Sequence, residues 1–292
     1  MTCEAAVRRA VAWAALLTAA IPARAAAQCL PGEDSNEAKL LAHYSAPITF
    51  ATQTGPAFAG RVVIGGDLTW IPQPDPALER TGRCFTPKNE STRISPVFPR
   101  PHLVIRLPLG AAIEGSYVPP VKISGARANL VSAALSISRR LAAVEGATVT
   151  AMLRVHATRG YVNGAITCGR NALQQRDATA PCYGTHVSRD TFRPNMQGID
   201  GSLGRVFSGG RLDLYAGGGI TWLAPRFRVG FTDGTGYVDR TRVEVDLRRV
   251  AVFAGADYRL GGAGSATAQL YSVPADVTLF RVGFARAIGR RE

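Results

Sequence analysis

The side chains best suited to chemistry in this sequence are four histidines, His43, His102, His156 and His186. An imidazole with a hydroxyl or a carboxylate in reach can act as a general base near neutral pH. His156 is the best placed of them, two residues after Arg154 on the charged side of an alternating segment. No neighbouring segment sets an obvious serine and acid at its level, so no catalytic residue is assigned and a structural, hydrogen-bonded imidazole is expected. The Gly217-Gly218-Gly219 run lies inside an extended segment with no helix after it, which suits strand curvature better than phosphate binding. Cys29, Cys84, Cys168 and Cys182 contain no C-x-x-C pair and no histidine at ligand spacing. Metal and cofactor are therefore both expected to be none, and two disulfides are expected instead.

A second set is formed by charge. Arg61, Asp67, Arg106, Glu114, Arg154, His156, Asp213, Asp257, Arg259 and Arg281 fall on one side of alternating segments. Mixed signs on such a face make ion pairs that fill a narrow interior, or, as a second reading, a path for an anionic solute.

The elements that must carry these residues are strands. From His102 to Tyr117 the odd positions are apolar almost throughout, while the even positions mix in Arg106 and Glu114. Alternate side chains of a strand face opposite sides, so one side is apolar and the other wet. About sixteen such residues exceed a typical soluble strand, and about 9–11 tilted residues already cross a bilayer. Ten candidate strands emerge, at 44–54, 58–71, 102–118, 130–141, 147–158, 199–207, 212–223, 250–260, 265–273 and 277–288. The first is the weakest, and 199–207 is irregular because Arg205 falls on its apolar side. The fold class expected is all-β, a closed antiparallel transmembrane barrel of about ten strands, with eight as the runner-up if those two are omitted.

The first residues read as a secretory signal: Arg8 and Arg9, an apolar core, then Ala25-Ala26-Ala27 as a cleavage site. The domains expected are a signal at 1–27, a periplasmic segment at 28–40, and a barrel at 41–292 with long loops at 72–100 and 160–197. The formal charge is +13. The positive residues are scattered one or two per strand, which with export argues against a nucleic-acid partner.

The C-terminal segment carries Arg281, Gly283 and Ile288 at the spacing of a barrel-closing strand, although Arg286 departs from it and Ile288 replaces the usual aromatic. With the signal and the strands, the chain resembles small Gram-negative outer-membrane β-barrel proteins. The resemblance is architectural, over roughly residues 41–288, and brings no catalytic motif. It implies an outer-membrane location, contact with membrane lipid, and recognition of the last strand by the barrel-insertion machinery.

In such barrels the chain ends in the periplasm, with short turns below and longer loops above. Counting back, 160–197 comes out external and 72–100 periplasmic. The pairing expected is then Cys168–Cys182 outside and Cys29–Cys84 inside. On both arms of the 223–249 hairpin the apolar side switches at about the same height, which marks the upper membrane boundary near Trp222. The function expected is a non-enzymatic envelope barrel, structural or a narrow solute route. The alternatives are a lipid- or peptide-modifying barrel centred on His156, and a soluble exported barrel that holds an apolar ligand inside, with its apolar sides turned inward.

Overall fold

The computed structural model describes residues 28–51, 61–80, 84, 96–123, 125–141, 149–261 and 263–288. The expected signal at 1–27, the turn at 142–146 and the last four residues lie outside the described residues. Ten strands form the wall: β1 (Val62–Trp70), β2 (Val97–Arg106), β3 (Ala111–Val118), β4 (Ala126–Arg140), β5 (Val149–Gly164), β6 (Met196–Phe207), β7 (Leu212–Leu223), β8 (Leu247–Gly261), β9 (Gly264–Val273) and β10 (Val277–Ile288). Each pairs antiparallel with the next. β10 returns to pair with β1 from Phe280↔Trp70 to Ile288↔Val62, and the sheet closes. Closure leaves neither the first nor the last strand with a free edge, as strands that lie in hydrocarbon require.

Two of the expected strands are wrong, and they offset each other in the count. Residues 102–118 are two strands joined by a tight turn at Pro108–Gly110, where Leu109 takes φ 64° and Gly110 φ 80°. Leu107 and Ala111 close the turn: the Leu107 N–H donates to the Ala111 carbonyl at 2.8 Å. These two residues share parity, so alternation runs through the turn unbroken and conceals it. The first expected strand, 44–54, is described as far as residue 51, and that part does not join the wall. Asn36–Ser45 is a helix, α1, capped by Ser35, whose Oγ accepts from the Ala38 N–H at 3.1 Å. A 3-10 turn follows at Ala46–Ile48, with Pro47 in its first turn.

The extra turn reverses everything before it. The connection between β1 and β2 lies at the long-loop end, where the sequence placed it at the short-turn end. The 28–40 segment goes with it, and the wall begins at Val62 instead of residue 41. Gln28–Cys29 pairs in parallel with Arg242–Glu244, which is part of the hairpin that follows β7.

The faces are those of a membrane barrel. Leu68, Ile113, Leu135, Leu153, Leu203, Val252, Leu270 and Phe280 are exposed on the outside. The inside is buried and polar, with Asp67, Thr69, Arg100, Ser132, Arg154, Asp200, Asp257 and Gln269 among its residues. This is the reverse of a soluble barrel built around an apolar ligand. Above Trp222, which is exposed, the apolar side turns inward: Phe227, Val229, Phe231, Val243, Val245 and Leu247 are buried in a core at the loop end. Arg205, the misfit of β6, faces outward and lays its guanidinium carbon 4.9 Å from the Phe207 ring centroid, near the short-turn rim.

Candidate functional site: an arginine-held segment in the lumen beneath a braced head

The chain enters the lumen from the loop end. α1 lies there, and residues 46–51 descend between the wall strands. Each backbone carbonyl from Ala46 to Phe50 accepts a hydrogen bond from one of three arginines on the wall. Arg100 on β2 donates to Thr49 at 2.9 Å, Ile48 at 2.6 Å and Pro47 at 3.3 Å. Arg281 on β10 donates to Ala46 at 3.3 Å and Thr49 at 3.5 Å, and Arg154 on β5 donates to Phe50. These carbonyls lie beyond the end of α1, in a segment buried away from bulk water, so donors from the wall take the place of water. The Phe50 ring lies 4.8 Å from the Arg154 guanidinium carbon and 5.5 Å from that of Arg100.

Arg154 is also the centre of an ionic row across four strands. Its Nη2 lies 3.0 Å from Glu114 on β3, and its Nη1 lies 3.1 Å from Asp200 on β6. Between them, Ser136 on β4 donates to Glu114 at 3.2 Å. The arginine side chain has no solvent exposure. A buried cation is stable only when carboxylates and acceptors replace its water, and here two carboxylates and one carbonyl do so.

The other charged candidates are distributed as follows. Asp67, Asp213, Asp257 and Arg281 are buried on the inner face, with Asp213 directly across from Asp257 in the β7–β8 register. Arg106 and Arg259 are partly buried towards the short-turn end, and Arg61 is exposed at that rim, its carbonyl accepting from the Arg106 N–H at 2.8 Å. His156 is buried with Nε2 3.5 Å from Asp200. It packs over Gly198, its partner on β6, so closely that a Cβ there would fall 2.6 Å from Nε2. His102 sits over Gly65 on β1 in the same way, again at 2.6 Å. Each imidazole occupies space that only glycine leaves open.

Arg100 and Asp200 do not stand out in the sequence. Arg100 lies between Pro99 and Pro101 in a stretch that reads as a loop, and Asp200 lies in the strand that reads as irregular. Both are on the inward parity once their strands are started at Val97 and Met196.

The head above the lumen is held by Asp190, which is fully buried. Its carboxylate accepts from the N–H groups of Ile166 at 2.8 Å, Thr167 at 2.6 Å and Gly230 at 2.9 Å, and from the Ser188 hydroxyl at 2.7 Å. Cys29–Cys84 and Cys168–Cys182 are the two disulfides, as expected, but both brace this one end. Chain entropy gives about 4 kcal/mol for the first and about 3 kcal/mol for the second. His43 of α1 is buried and its Nε2 lies 3.2 Å from the Pro72 carbonyl. Burial holds this imidazole below its ordinary pKa, against the raising effect of that hydrogen bond. Nearby, burial raises the Asp276 carboxyl although Arg249 contacts it at 2.7 Å. A cleft of about 500 Å³ opens in the head, with Leu41, Tyr44, Phe192 and Phe227 on its apolar side. Glu37, Glu79, Asp233 and Asp239 also line it, and no lysine, arginine or histidine does so among the described residues.

No family model matches this chain, and no curated protein matches it. Among solved structures it is similar to the outer membrane protease OmpT from Escherichia coli, at 9% identity over 77% of this chain and 91% of that one, with a TM-score of 0.38. The translocator domain of the autotransporter NalP from Neisseria meningitidis matches at 9% identity over 86% and 95%, with a TM-score of 0.30. Ail, the attachment invasion locus protein of Yersinia pestis, matches at 8% identity over 77% and 93%, with a TM-score of 0.29. Identities this low leave the activities in those names with those proteins.

Proposed function

We propose that this chain is a non-enzymatic outer-membrane barrel, shut by its own N-terminal segment, that anchors a rigid disulfide-braced head at the cell surface. The observation that carries this reading is the set of five consecutive carbonyls, Ala46 to Phe50, held by Arg100, Arg154 and Arg281. Those arginines would be the selective groups of an anion route. Engaged as they are, they act as a latch, and the structural role is favoured over solute passage. The outward apolar residues support insertion in an outer membrane, and the signal expected at 1–27 is consistent with it. With long loops outside, residues 28–51 run from the surface head down into the lumen.

A catalytic role for His156 has one supporting contact, that with Asp200. The imidazole has no hydroxyl or thiol in hydrogen-bond contact among the described residues, so the non-enzymatic role is favoured. The head is the working part. Its carboxylate-lined, partly apolar cleft suits a cationic group with an apolar body.

An epitope inserted at Gly236, in the exposed turn of the 231–239 hairpin, tests the orientation. Antibody should label intact cells, and the protein should leave the envelope only with detergent. Labelling that needs permeabilised cells, or release without detergent, contradicts the reading.

A further inference from the structure

Among the described residues, two neighbouring strands of the wall stop pairing with each other before either strand ends. β2 and β3 are in register from Arg106↔Ala112 only as far as Leu103↔Gly115, although β2 continues to Val97 and β3 to Val118. Their other neighbours are intact: β2 pairs with β1 out to Val97, and β3 pairs with β4 out to Val118. The result is a seam in the loop-end half of the wall.

Its cause is in the sequence. Even residues of β2 direct their main-chain groups to β1, as the Arg106 N–H to Arg61 carbonyl bond shows. Odd residues face β3, as the Leu107 N–H to Ala111 carbonyl bond shows. Continuing the β2–β3 register sets Pro101 opposite Tyr117 and Pro99 opposite Pro119. Three of the four N–H groups those pairs require belong to prolines and do not exist. The ladder cannot close there.

Behind the seam is a cavity of about 80 Å³. Val97, Phe98, Pro99 and Val118 form its wall side, and Tyr44 and Ile48 of the N-terminal segment form its inner side. No charged residue lines it among the described residues. Outside, Leu103, Ile105, Tyr117, Val121 and Ile123 are exposed and continuous with the apolar belt. Trp70, opposite Val97, sets the top of the seam at the level where aromatics mark a membrane interface. Lys122 and Arg127, partners in a short pairing and both exposed, lie at its mouth. An apolar cavity that opens on hydrocarbon is filled by hydrocarbon, since water there would lose its hydrogen bonds.

We propose that the seam admits a short stretch of one acyl chain of an anionic outer-leaflet lipid, a few methylenes long, into the cavity beneath α1, with the lipid phosphate at Lys122 and Arg127. This rests on the chain lying in a membrane, and the test separates the two statements. In a Trp70→Phe, Trp222→Phe background of the chain from Gln28 onward, which leaves out Trp13, a single reporter is placed by Phe98→Trp in the cavity, Leu103→Trp on the outer face, or Tyr271→Trp in the lumen away from the seam. Each protein is folded into phosphatidylglycerol vesicles with bromine on the acyl chains, and folding is checked by heat-dependent gel migration. The Phe98→Trp reporter should be quenched nearly as much as Leu103→Trp and several-fold more than Tyr271→Trp. Restoring the donors with Pro99→Val, Pro101→Val and Pro119→Val should remove most of that quenching. Phosphatidylcholine in place of phosphatidylglycerol should weaken it several-fold. Quenching at Leu103→Trp with none at Phe98→Trp above the lumen control overturns the acyl site alone. No quenching at Leu103→Trp overturns the membrane reading as well. Equal quenching in the two lipids overturns the role given to Lys122 and Arg127.

Discussion

Arg154 holds Phe50 in two ways: its guanidinium carbon lies 4.8 Å from the ring centroid, and its Nη1 donates to the Phe50 carbonyl. The same side chain bridges Glu114 and Asp200, so one residue fastens the N-terminal segment to three wall strands.

Arg154→Met keeps much of the volume and removes the charge, leaving two carboxylates buried without their cation. The expected loss is about 3–5 kcal/mol, read as a lower urea midpoint in detergent with the slope unchanged. Arg154→Lys retains the charge without the planar fork and should lose less. Equal stability of Arg154→Met and the parent would remove Arg154 from this role.

Gly198→Ala puts a methyl 2.6 Å from His156 Nε2 and 2.7 Å from the Ile220 carbonyl. The expected cost is about 1–3 kcal/mol. Adding His156→Ala should recover part of it, because one of the two obstacles goes while the carbonyl stays. A double variant no better than Gly198→Ala would show that the imidazole is not what the glycine accommodates.

Much of this is legible in the sequence, and the rest is hidden for definite reasons. Leu212–Leu223 can be read to the residue because both its ends are marked, by Gly209-Gly210 below and by the change of apolar side above Trp222. The turn at Pro108–Gly110 is hidden because Leu107 and Ala111 share parity and Leu109 is apolar. α1 is hidden because Tyr44, Ala46, Ile48 and Phe50 alternate as a strand would, while Ser35, its cap, lies well upstream. The latch is half visible. Arg154 and Arg281 stand out on the wet side, but Arg100 does not, because its flanking prolines read as a loop. Five carbonyls in a row leave no trace in a pattern of side chains.

Asp190 organises the head, and Asp190→Ala removes the acceptor for three N–H groups and the Ser188 hydroxyl together. Limited proteolysis should then cut within 165–195 while the ten-strand core stays heat-modifiable. The local cost expected is about 3 kcal/mol. An unchanged digestion pattern would show that the disulfides alone hold these loops.

His43 gives the head a pH dependence. Its folded pKa lies below the ordinary 6.5 because it is buried, so its contribution is fully present above that value and is lost as pH falls below it. Amide exchange in α1 should quicken between about pH 7 and about pH 5, beyond the intrinsic effect of pH, and His43→Gln should flatten the change. Protection that rises over that range would contradict the sign.

The central claim is that residues 46–51 shut the lumen, and planar-bilayer recording tests it most directly. The parent protein, folded and inserted, should give no discrete conductance. The pair Arg100→Ala and Arg281→Ala, which frees the carbonyls from Ala46 to Thr49, should give intermittent steps. Stable steps from the parent protein, with no change in the double variant, would contradict the account.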